Sequence, residues 1–164
     1  MRVVQLLVLL AAIVCVYGKT SDGYTINRAA KKSYKLVYQA EDWSKAKISC
    51  EMEDAMLAVP KTQEEFLFMQ KMVRSMYLPY ITGTTFRTIL WLGINNLDDY
   101  RVWRSVDGEN IKNSFHKWAK HNGMGISDSI EEPHCTGIDA INPGLRDWWC
   151  HQTLPYICEK VLDV

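Results

Sequence analysis

Two His-Cys pairs, His134-Cys135 and Cys150-His151, bring the residue types of a zinc site into the last third of the chain. Zinc needs thiolates or several imidazoles. In an oxidising compartment these cysteines are expected to be disulfide-bonded, which leaves two histidines and no metal site. Catalytic patterns are missing: there is no Gly-x-Ser-x-Gly, no His-Glu-x-x-His and no phosphate-binding glycine loop. Carboxylates such as Asp98 and Asp99 are scattered, and nothing holds two of them at catalytic separation. His116, His121, His134 and His151 read as surface or half-buried residues. The chain is therefore expected to be a non-enzymatic binder without catalytic residues. The chemistry it does carry is that of contact. Trp118, Met124, Ile126 and Ile130 are apolar residues in or beside an aperiodic stretch, flanked by His121, Asn122, Arg146 and Trp148. Aromatics, methionine and arginine are enriched at contact hot spots. Aromatic rings also stack on sugar faces, and Asn122 can hydrogen-bond hydroxyls without a metal.

Positioning such residues requires a scaffold, and its elements are legible in part. Tyr34, Leu36 and Tyr38 alternate with polar neighbours as a strand does. Asp42 is placed to cap a helix starting at Trp43, in which Trp43, Ala46 and Cys50 share one inward stripe. Ala55–Val59 is a short apolar run stopped by Pro60. Thr62 and Glu65 form a capping box ahead of Phe66, Met69, Val73 and Met76, a helical core stripe that Leu78-Pro79 ends. Beyond residue 80 the helical period disappears. Trp91-Leu92-Gly93-Ile94 and Val102-Trp103 read as strand segments, and Asp107-Gly108 as a turn. Residues 119–134 show no period, the mark of a functional loop. Short strands are expected around Cys135, Trp148–Cys150 and Tyr156–Cys158. One ring of the Trp148-Trp149 pair should point inward and the other outward.

The chain has 164 residues, is 48% hydrophobic, and balances nineteen Lys+Arg against nineteen Asp+Glu. That excludes a disordered chain, and gives no general reason to expect binding to nucleic acid or anionic membrane. Met1-Arg2 followed by the apolar run Val3–Val16, broken only by Gln5, reads as a signal peptide over residues 1–18. The run is too short for a membrane span, so a secreted, extracellular protein without a membrane anchor is expected. Residues 19–32 read as a loose polar lead-in. Loss of the signal removes Cys15 and leaves Cys50, Cys135, Cys150 and Cys158. An even count suggests two disulfides, in any of three pairings. With no odd cysteine, a monomer or a non-covalent homodimer is expected.

These features resemble the C-type lectin-like domain over residues 33–160. Trp43 and Cys50 on a first helix, a second helix, Trp91-Leu92-Gly93-Ile94, Val102-Trp103 with Asp107-Gly108, Phe115-x-x-Trp118, and Cys135, Cys150 and Tyr156-Ile157-Cys158-Glu159-Lys160 follow in that family's order. The resemblance implies an α+β fold of two helices packed on antiparallel sheets, with a long irregular loop. It also implies the disulfides Cys50–Cys158 and Cys135–Cys150. It implies recognition of glycans, microbial ones in an innate-immune setting among them. The alternative is a calcium-independent module that targets extracellular proteins, as in venom or saliva.

Sugar-binding members hold Ca²⁺ with oxygen ligands from a Glu/Gln-Pro-Asn/Asp triplet, an acid before the third cysteine and a Trp-Asn-Asp triplet. Here the first position reads Asn122-Gly123-Met124, the second Pro133-His134 and the third Leu145-Arg146-Asp147. Only Asp147 matches, and Arg146 puts a cation where a ligand belongs. Glu132-Pro133-His134 imitates the first triplet but falls too late in the loop. Asp128, Glu131 and Glu132 are expected to be solvated loop acids, weak candidates with Asp147 for a shifted calcium site. The expected binding site is thus Asn122, Met124, Arg146, Asp147 and Trp148, with no cofactor.

Overall fold

The computed structural model describes residues 22–123 and 134–162, and the expected signal peptide lies outside them. Strands β1 (Thr25–Asn27) and β2 (Lys32–Glu41) precede helix α1 (Trp43–Glu51), β3 (Met56–Leu57) and helix α2 (Gln63–Arg74). Then come β4 (Ile89–Asn95), β5 (Arg104–Ser105), β6 (His134–Asp139), β7 (Arg146–Trp149) and β8 (Leu154–Val161). The lead-in is not loose. It contributes β1, which pairs antiparallel with β2 from Thr25↔Tyr34 to Asn27↔Lys32, and Tyr24 is buried beside it.

Both helices start where their capping residues place them. Asp42 accepts a hydrogen bond from Lys45 N at 3.0 Å, and Thr62 Oγ1 accepts one from Glu65 N at 3.2 Å. The capping box is not reciprocal, however. The Glu65 carboxylate accepts from Lys61 N at 3.2 Å and pairs with Lys32 at 3.1 Å. Lys32 also meets Glu159 at 3.1 Å, so one half-buried ammonium joins β2, α2 and β8. Burial pushes the Glu159 carboxyl above its usual range, an effect that Lys32 and the Val59 N–H only partly offset. Thr62→Ala removes one N-cap acceptor and should cost about 1 kcal/mol. A urea titration of the two proteins checks this value.

The strands form one eight-stranded sheet in the order β1-β2-β8-β4-β6-β7, with β3 on β8 and β5 on β4. All pairings are antiparallel except β4 with β8, which run parallel at Trp91↔Tyr156. β4 is buried on both faces, which explains its unbroken apolar run. Leu90, Leu92 and Ile94 face a core with Phe66 and Met69 from α2. Ile89 and Trp91 face a second core with Trp43 and Ala46 from α1 and the four described cysteines, Cys50, Cys135, Cys150 and Cys158. The two indoles are pinned by backbone carbonyls, Trp43 Nε1 to Leu92 at 2.8 Å and Trp91 Nε1 to Glu41 at 3.0 Å. Gly93 is required by close approach: a Cβ there would lie 2.5 Å from the Leu57 carbonyl oxygen. The disulfides are Cys50–Cys158, joining α1 to β8, and Cys135–Cys150, closing the β6–β7 hairpin.

Candidate functional site

The β6–β7 hairpin and the segment before it build a cleft at one end of the sheet. The segment is fastened to the hairpin by two backbone bonds, Ala119 N to Leu145 O at 2.9 Å and Leu145 N to Lys117 O at 2.8 Å. The chain then turns through His121 and Gly123, at φ of 64° and 72°. Gly123 is needed here: a Cβ would sit 2.1 Å from the Trp118 indole. The resulting cleft holds about 490 Å³, and Asn122, His134, Arg146, Asp147, Trp148 and Trp149 are among its walls.

Four of the expected site residues meet there, and three are held by one another. Asn122 Oδ1 accepts from Arg146 Nε at 3.1 Å and from Asp147 N at 3.0 Å. Its amide nitrogen donates to Lys120 O at 2.9 Å. Asn122 is thus a pin between loop and strand, and its oxygen is not free for a hydroxyl as the sequence alone suggested. Arg146 reaches back to Asp139, with NH1 2.7 Å from Oδ2. Asp139 also accepts from the backbone N–H groups of Ile141 and Asn142 and from the Asn142 amide. Burial alone would raise the Asp139 carboxyl, but these donors and the guanidinium hold it below the usual carboxylate range. Asp147 accepts from Gly123 N at 3.1 Å and stands 3.4 Å from His134 Nδ1. Met124, with Asp128, Glu131 and Glu132, lies outside the described residues.

Trp148 is half-buried and Trp149 exposed, as alternation along β7 requires. The two rings meet edge-on at 5.4 Å, and Phe86 adds a third ring 5.9 Å from Trp148. Among the described residues, Trp148 Nε1 and His134 Nε2 are buried polar atoms without a hydrogen-bond partner. Such atoms are rare enough to require an explanation. Asp139, His134, Trp149 and Lys120 were not singled out for the site from sequence. For Asp139 a signal existed, since a cation at Arg146 calls for a nearby acid.

Residues 39–160 match the family described as the lectin C-type domain. The chain belongs to that family. The human secretory phospholipase A2 receptor is 28% identical to this C-type lectin domain over 123 residues, 74% of this chain but only 7% of the receptor's length. Among solved structures, the carbohydrate-recognition domain of the mouse scavenger receptor C-type lectin superposes with a TM-score of 0.62 at 21% identity, covering 90% of this chain and 96% of that one. A calcium-independent type II antifreeze protein gives 0.66 at 17% identity, covering 90% and 98%. At such identities the structures establish a shared fold alone.

The family raises the question of calcium, and the described residues do not fit the ion. A divalent cation at the cleft would meet the Arg146 guanidinium. The oxygens it would use are already engaged, that of Asn122 by Arg146 and Asp147 N, and Oδ2 of Asp147 by Gly123 N. No cluster of three or more metal-ligating side chains occurs among the described residues. A guanidinium fixed between Asp139 and Asn122 does for this hairpin what a bound cation does elsewhere: it neutralises the local carboxylate and holds strand to loop.

Proposed function

We propose that this C-type lectin domain recognises glycans through the β6–β7 cleft without calcium. The observation that carries the reading is the pair of unpartnered ring nitrogens, Trp148 Nε1 and His134 Nε2, in a cleft walled by two tryptophans. Indole N–H is a donor only. When His134 Nδ1 carries the proton toward Asp147, its Nε2 is an acceptor. The register sets His134 opposite Trp149 and Trp148 on the other face of the hairpin. A donor and an acceptor thus lie on separate walls and suit different hydroxyls of a sugar, while the Trp148 and Trp149 faces suit the C–H face of a sugar ring. Asn122, Arg146 and Asp147 shape the cleft, and Trp148, Trp149 and His134 touch the ligand. Two buried disulfides and the apolar run Val3–Val16 support a secreted, extracellular protein. No helix among the described residues is long and apolar enough to cross a membrane.

The second reading, a protein-targeting module, is favoured by the matched receptors, whose name refers to a secreted protein, and by the exposed rings Tyr77 and Tyr80, 4.8 Å apart. A glycan array with and without EDTA separates the two. Binding that survives EDTA is expected. Trp148→Phe, which keeps a ring but loses the N–H, should weaken it about tenfold. EDTA-sensitive binding overturns the calcium-free reading, and a silent array with a captured extracellular protein favours the second.

A further inference from the structure

A second cleft, of about 480 Å³, has Gly123 in its wall, the residue next in the chain to Asn122 of the first cleft. Its walls include Tyr100, Arg101, Trp103, Lys112, His116 and Trp118, and among the described residues no acidic side chain lines it. The floor is aromatic: Trp103 and Trp118 pack with centroids 4.7 Å apart, and the Arg101 guanidinium lies 4.9 Å from the Tyr100 ring centroid. The nearest acid in sequence on this rim, Asp99, accepts from the Arg101 backbone N–H at 2.9 Å. Charge is segregated here although the chain as a whole is neutral. Residues 110–123 contain Lys112, Lys117, Lys120, His116 and His121 and no acid. Among the described residues Arg101, Lys112 and Lys120 form no ion pair, whereas Lys32, Lys35 and Lys61 are each paired with carboxylates.

We infer that the two clefts form one track for an anionic polysaccharide, with Arg101 and Lys112 meeting its sulfate or carboxylate groups while the rings of both clefts stack on sugar units. The inference rests on the glycan reading of the first cleft and extends it to a ligand class. An arginine over an aromatic ring and an unpaired lysine at a cleft rim suit spaced anions along a chain. The aromatic floor favours saccharide rings over a bare phosphate surface, so a polysaccharide is preferred to a membrane.

The test is a titration of the full chain with oligosaccharides of equal length, one sulfated, one a polyuronate and one neutral, alongside a single-stranded oligonucleotide. The sulfated chain, the polyuronate or both should bind at least about tenfold more tightly than the neutral one, with affinity falling as salt rises. Which of the two is preferred identifies the anion. Arg101→Gln with Lys112→Gln changes two exposed residues, should leave the circular dichroism spectrum unaltered, and should lower polyanion affinity about tenfold while reducing the salt dependence. Neutral-glycan binding through Trp148 should be unchanged. Equal affinity for anionic and neutral chains, an unaffected double variant, or an oligonucleotide bound as tightly as the polysaccharides overturns the inference. Persistent neutral-glycan binding in that case leaves the first cleft's reading standing, and loss of all glycan binding overturns both.

Discussion

Replacing Cys50 and Cys158 together by alanine is expected to remove about 4–5 kcal/mol of stability. The bond closes a separation of 108 residues, and in the chain-entropy view long loops gain most from closure. Both sulfurs lie in the core formed with Trp43 and Trp91. Against a total of about 5–15 kcal/mol for an ordinary domain, the loss leaves the protein marginal at physiological temperature. The Cys135–Cys150 bond spans 15 residues and should be worth about 3 kcal/mol. It closes the hairpin that carries Arg146, Asp147 and Trp148, so its removal should harm binding more than stability. Urea titrations of both double variants check the order. A larger stability loss for the Cys135/Cys150 pair would defeat the loop-closure account.

Arg146→Ala is expected to cost about 2 kcal/mol and to abolish glycan binding. Breaking a buried ion pair costs about 3–5 kcal/mol when the surviving charge has no other partner. Here Arg146 is 24% exposed while Asp139 is 8% exposed, and Asp139 keeps three N–H donors, so the cost falls below that range. The cleft would also lose the bond that fixes Asn122. The pH dependence identifies the source. Asp139 is depressed in the folded state, so its contribution is present above the unfolded carboxylate range and is lost as pH falls through the folded value. Once Asp139 is protonated, removal of Arg146 should cost little. Stability measured for both proteins at pH 7 and in strong acid should show the difference shrinking. A penalty unchanged in acid would mean that Arg146 acts through its bond to Asn122 and its packing, not through Asp139.

Local signals in the sequence were sufficient for most elements. Asp42, Thr62 and the stripe through Phe66, Met69 and Val73 place both helices, because caps and a 3.6-residue period are properties of adjacent residues. The strand β1 was missed for the converse reason. Thr-Ile-Asn is three residues long, and only its partner Tyr34 and the C-terminal strand beyond make it a strand. Trp118 packs on Trp103 at the edge of the core and is half-buried, since Gly123 folds the loop against one face and a cleft opens beside it. In the site, Arg146 was legible as a departure from the lectin pattern and Asp147 as its one match. What they do was not, because Asp139 and Asn122 reach them across a hairpin and a loop, and such pairings leave no mark in spacing.

The place of β8 bears on how the protein is made. β8, the last of the described strands in chain order, is a central one, lying between β2 and β4 and carrying the partner of Cys50. Until Leu154–Val161 has emerged, β2 and β4 keep open edges and the Cys50 thiol waits beside Cys135 and Cys150, which are already available for incorrect pairing. Folding of this domain therefore waits for its C-terminal strand and depends on contacts of high sequence separation. Its yield should depend on disulfide isomerisation more than on the speed of either helix, and a tag or fusion should extend beyond Val161 without replacing it.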